Sequence, residues 1–74
     1  MQEIARGWLR EIRRLSRMSE AEVARRVGVA QSVYHRYETG QLTPSVAKAK
    51  AISRVLGFSH WELFYPDEED KKRA

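Results

Sequence analysis

The segment from Glu20 to Thr39 constrains this chain most, because 20 residues must hold two helices and a turn. Ser19 and Glu22 have the Ser-x-x-Glu spacing in which each side chain satisfies a free backbone N–H at a helix start. Val23, Ala24 and Val27 follow at inward-facing positions. Gly28 ends this helix, since glycine takes the left-handed conformation at low cost. The next helix begins after only Val29 and Ala30. It is expected from about Gln31 to Glu38, stopping at Thr39-Gly40. Ala24, four residues before Gly28, is small enough to let the following helix cross closely. At Gly28 itself a side chain is expected to clash. Val23, Val27, Val29 and Tyr37 are expected to lock the two helices together. Such a pair is a helix-turn-helix, whose second helix lies in the major groove of double-stranded DNA.

The remaining residues also read as short helices. Ile4, Trp8, Leu9, Ile12 and Leu15 fall on one helical face with arginines opposite. Leu42 to Pro44 is a loop, and a fourth helix starts near Pro44 or Ser45, where proline's missing N–H costs nothing. Its buried stripe is Val46, Ala49, Ile52, Ser53 and Leu56, and Gly57 closes it. Ser59 and Glu62 repeat the capping-box spacing and open a short fifth helix through Phe64. No segment shows sustained strand alternation. The expected fold class is therefore all-α, a compact five-helix bundle. Residues 1–66 are expected to form one domain. Residues 67–74 are expected to be a charged, flexible tail.

Composition narrows the function. The 74 residues contain no cysteine and two histidines, His35 and His60. Neither disulfides nor a structural metal site is expected, and no cofactor is implied. A chain without cysteine fits a reducing cytoplasm. No apolar run approaches a membrane span, and the arginines near the N-terminus accompany no apolar signal core. There is no glycine-rich phosphate loop and no cluster of histidines with carboxylates, so an enzyme is not expected. Residues 1–66 carry eleven Lys/Arg against six Asp/Glu, while 67–74 carry three against four. The basic part is thus the part expected to fold, which suits a polyanionic partner.

The chain also resembles the Xre and Cro-type phage-repressor family, whose DNA-binding domain is lambda-repressor-like. The resemblance spans about residues 7–64. It is carried by Leu9-Arg10-Glu11-Ile12-Arg13, Met18-Ser19-Glu20-Ala21-Glu22-Val23-Ala24, Val27-Gly28-Val29, Tyr37-Glu38-Thr39-Gly40, Thr43-Pro44-Ser45 and Leu56-Gly57-Phe58. It implies a five-helix bundle, DNA binding, dimerisation and transcriptional control. It also implies that Arg13 and Glu38 meet as a structural brace between the first and third helices. Two positions depart from the family pattern. Glu20 stands where a phosphate-holding glutamine is usual, and a carboxylate repels phosphate. Tyr34 stands where a branched aliphatic is usual, and is expected to bury its ring with its hydroxyl at the edge.

On the third helix Gln31, Ser32, His35 and Arg36 are polar and are the candidates for base edges. Glutamine suits adenine and arginine suits guanine, each through two hydrogen bonds. Val33 is the candidate for a thymine methyl. Candidates for phosphate are Ser19 at the start of the second helix, Thr39, Gln41 and Thr43 in the loop after the third, and Arg17. Val55, Trp61, Phe64 and Tyr65 are expected to make an exposed apolar patch that pairs two copies. A two-fold dimer predicts a palindromic operator. No sensor segment accompanies the bundle, so no small-molecule effector is expected. The competing reading is a protein-interaction module, or the antitoxin component of a toxin–antitoxin pair.

Overall fold

Serines and glycines set where the helices begin and end. The computed structural model describes residues 5–65. Four helices occupy them, α1 (Gly7–Leu15), α2 (Glu20–Val27), α3 (Gln31–Thr39) and α4 (Val46–Leu56), followed by a single 3-10 turn at Trp61–Phe64. Ser19 Oγ caps α2 by accepting from Glu22 N, and Ser45 Oγ caps α4 by accepting from Lys48 N. The left-handed glycines Gly28, Gly40 and Gly57 close α2, α3 and α4.

The expected fifth helix is only this 3-10 turn. Its N-cap is His60 rather than Ser59, no side chain caps it, and Leu63 N donates to His60 O. Four residues cannot complete the i to i−4 ladder that an α-helix requires. At α2 the capping box is half-formed. The Glu22 carboxylate does not return to Ser19; it accepts from Arg25 and Arg26 at 2.7 Å each.

The core gathers Leu9 from α1, Val23, Ala24 and Val27 from α2, Tyr34 and Tyr37 from α3, Ala49, Ile52 and Leu56 from α4, and Phe64. Trp8 stands edge-on to both Phe58 and Phe64 and ties α1 to the C-terminal turn. Two stripe positions expected inside lie outside. Leu15 is 74% exposed. The chain turns back just after it at Arg17, which has φ 61, and Met18 packs against the core instead. Val46 is 47% exposed because it opens α4 one turn before Ala49, where the buried stripe begins. Ile4, Pro66 and the tail 67–74 lie outside the described residues.

Gly28 and Gly40 serve different purposes. At Gly28 the nearest atom to an added Cβ is the flexible Lys48 Nζ at 3.6 Å, so the expected clash is absent. What demands glycine there is φ +89. At Gly40 a Cβ would collide with the Cβ of Ala5. The N-terminal segment runs against this glycine, with Ala5 N donating to Thr39 O and Arg6 N to Glu38 O.

Candidate nucleic-acid interface

The inner face of α3 buries Tyr34, Tyr37 and Glu38. This leaves Gln31, Ser32, His35 and Arg36 on its exposed side. Val33 is half-buried and packs against the core edge, so it is less available than a freely exposed side chain. The N-terminal ends of the helices differ. Serines cap α2 and α4, but Ala30 precedes α3 and supplies no side-chain cap. The first-turn N–H donors of α3 are therefore open beside Gln31 and Ser32.

Two arginines hold α3 from behind. Arg13 Nε donates to Glu38 Oε2 at 2.6 Å, Nη2 reaches Oε1 at 3.4 Å, and Nη1 donates to Met18 O at 2.8 Å. One guanidinium thus joins α1, the α1–α2 turn and α3. The Glu38 side chain is 3% exposed, so the charge is compensated where water does not reach. The bond to Glu38 raises the Arg13 pKa above its ordinary value, against the opposing effect of burial.

Arg6 was not singled out by the sequence, yet it is buried. Its Nη1 donates to Tyr37 O at 2.7 Å and Leu42 O at 3.1 Å, and its Nη2 donates to Thr43 Oγ1 at 3.1 Å. Its guanidinium also lies 5.4 Å from the Phe64 ring centroid. Burial lowers its pKa from the ordinary arginine value. This second clamp fixes the end of α3 and the loop after it. Nothing in the spacing marks Arg6 as different from the surface arginines near it.

Glu20, at the first position of α2, faces α3. His35 Nδ1 lies 3.0 Å from Glu20 Oε2 and 3.2 Å from Oε1. Burial opposes ionisation of Glu20, but the bond to His35 and the nearby charge of Arg13 outweigh it and lower the pKa. Glu20 therefore joins the helix pair rather than facing outward alone. Tyr34 departs from expectation: its ring is fully buried and its hydroxyl is buried too, without a hydrogen-bond partner among the described residues. Burial raises its pKa, and the charge of Glu38 adds to this without a bond between them that meets hydrogen-bond geometry.

The phosphate candidates differ in availability. Ser19 is exposed with its Oγ on the Glu22 N–H, Gln41 is exposed, and Arg17 is exposed at its left-handed position. Thr39 Oγ1 donates to Arg36 O and accepts from Gln41 N. Thr43 already accepts from Arg6.

The expected apolar patch loses one member. Phe64 is 2% exposed and belongs to the core, because it is the residue through which the 3-10 turn anchors to Trp8. Val55, Trp61 and Tyr65 are half-buried, and Leu63 of the same turn is 44% exposed. Trp61 stands edge-on to Tyr65, with Lys50 Nζ 5.2 Å from its ring centroid. Tyr65 Oη donates to Pro44 O at 2.6 Å.

Among the described residues no helix is long and apolar enough to cross a membrane. A helix-turn-helix family model matches residues 9–63. An uncharacterised HTH-type transcriptional regulator of Methanothermobacter thermautotrophicus is 37% identical over 68 residues, covering 90% of this chain and 99% of its own. Another from Archaeoglobus fulgidus is 34% identical over 62 residues, covering 84% and 87%. No solved structure matches the chain.

Proposed function

The chain belongs to the Xre/Cro-type helix-turn-helix family, and from that premise we propose that it is a transcriptional regulator, specifically a repressor that binds a palindromic operator as a homodimer. The observation that carries this reading is α3, whose inner face is bonded into the fold while Gln31, Ser32, His35 and Arg36 stand exposed on the other. That arrangement suits a helix inserted in the major groove. Gln31 and Arg36 read base edges through paired hydrogen bonds. Ser32 and His35 add single bonds, and Val33 takes a thymine methyl where the groove brings one close. Ser19, Gln41, Thr39 and Arg17 contact phosphate, with Thr43 contributing its remaining O–H. Val55, Trp61, Leu63 and Tyr65 pair the two copies, which supports half-sites about one turn apart.

Selection of bound DNA from a random pool at two salt concentrations tests the reading. The expected result is a palindromic motif and an affinity that falls steeply with salt, each neutralised phosphate adding about 0.9 to the logarithmic slope. Sedimentation at high micromolar concentration is expected to show a dimer. Recovery of no motif even at low salt would overturn the DNA-binding reading and favour a protein-interaction role.

A further inference from the structure

The Glu20–His35 contact crosses from α2 to the exposed face of α3, at a position the DNA-binding reading above assigns to a base edge. An ionised carboxylate only accepts hydrogen bonds. The bond to His35 lowers the Glu20 pKa, and an ionised Glu20 requires that the proton between the two groups sit on His35 Nδ1. Both carboxylate oxygens lie within bonding distance of this nitrogen, so either rotamer of the carboxylate enforces the same tautomer. The side chain of Glu20 is 21% exposed and that of His35 is 58% exposed. The carboxylate is thus sheltered while much of the ring is open. His35 Nε2 has no partner among the described residues.

We propose that Glu20 is a positioning residue that makes His35 a pH-dependent reader of one base pair. It holds Nδ1 as a donor, so that Nε2 is an acceptor when the ring is neutral and a donor when it is charged. The inference rests on the reading of α3 as the DNA-contacting helix. In the major groove cytosine offers a donor at N4, whereas guanine offers only the acceptors N7 and O6. Neutral His35 therefore favours cytosine at its position and repels guanine. Charged His35 favours guanine. Adenine carries both kinds of group and is tolerated by either form. The charged and titratable groups around the pair are Arg13 from α1, Glu20 from α2, and Tyr34, Arg36 and Glu38 from α3. None of the others occupies His35 Nε2.

The test has two parts. In free protein at pH 8, long-range proton–nitrogen NMR is expected to show His35 protonated on Nδ1, and Glu20→Gln to lose that single tautomer, since an amide offers both a donor and an acceptor. With the selected operator, a C·G pair and a G·C pair are compared at the position that responds to His35→Ala. The expected ratio of affinities favours cytosine at pH 8 and guanine at pH 5.5. Each preference is roughly fivefold, about what one net hydrogen bond contributes. Glu20→Gln flattens the pH 8 preference, and His60→Gln leaves the exchange in place. If the wild-type ratio does not move with pH while the operator is still bound, the proposal fails and the DNA-binding reading stands. An Nε2–H tautomer at pH 8 also overturns it. If no operator is bound at either pH, the DNA-binding reading itself is overturned.

Discussion

Helices α3 and α4 are of similar length, 9 and 11 residues, but they are held to the fold in different ways. Helix α4 lies on the core through Ala49, Ile52 and Leu56, an apolar stripe. Helix α3 buries two tyrosines and a glutamate, and is gripped near its C-terminal end by two arginines, Arg13 through the Glu38 carboxylate and Arg6 through Tyr37 O. Apolar burial is non-directional and tolerates small slides and rotations. Charge-assisted bonds of an arginine fork fix orientation. A helix that reads bases must be positioned to within a fraction of an ångström. The difference teaches that buried arginine bonds fix the helix proposed to read DNA, while α4 rests mainly on its apolar stripe, with Lys48 Nζ to Val27 O and Ser16 Oγ to Leu56 O as its side-chain bonds to the other helices.

The largest test of this contrast removes the grip. Glu38→Ala leaves Arg13 without its partner in a site that water hardly reaches, and breaking a buried pair this way costs about 3–5 kcal/mol. Urea denaturation measures the loss. Phe64→Ala is the matched control, since truncating a buried phenylalanine costs about the same. Operator affinity, measured at a temperature where each variant remains folded, is expected to fall further for Glu38→Ala than for Phe64→Ala. Equal losses at equal folded fraction would break the comparison.

A smaller change probes the other side. Ile52 is fully buried on the α4 stripe. Ile52→Val is expected to cost about 1 kcal/mol in denaturation experiments. Selection from a random pool is expected to return an unchanged motif, because the stripe sets stability and not the angle of α3. An altered motif would mean that α4 packing also positions the reading face.

The same contrast separates what the sequence made legible from what it did not. The cap at Ser19, the closing glycines and the pairing of α2 with α3 follow from local rules, and local rules are visible in sequence, although Pro44 lies before the Ser45 cap of α4 rather than in its first turn and Ser59 caps nothing. The Arg13–Glu38 brace was legible only through the family resemblance, because 25 residues separate its partners. Arg6 was illegible: its burial depends on where Tyr37 O, Leu42 O and Phe64 come to lie in space. Leu15 and Val46 misled because periodicity marks a face but not how far the core extends along it. Phe64 misled differently. A run of aromatics looks like a surface patch until Trp8, more than fifty residues earlier, is seen to meet it.

The smallest effect sharpens the picture of the α3 inner face and has the opposite sign. Tyr34 is fully buried, and its hydroxyl has no hydrogen-bond partner among the described residues. Most tyrosine-to-phenylalanine changes lose a bond. Tyr65→Phe, for example, forfeits the 2.6 Å bond to Pro44 O and is expected to cost about 1 kcal/mol. Tyr34→Phe forfeits none and relieves a buried polar atom. A rigidly orphaned group costs about 1–3 kcal/mol, but a hydroxyl rotates toward the best available acceptor and recovers part of this. The expected result is a gain of roughly 0.5 kcal/mol in urea denaturation, with the operator motif retained. A loss the size of that for Tyr65→Phe would show that the hydroxyl supports Glu38. The polar grip on α3 would then extend one residue deeper than the two arginines.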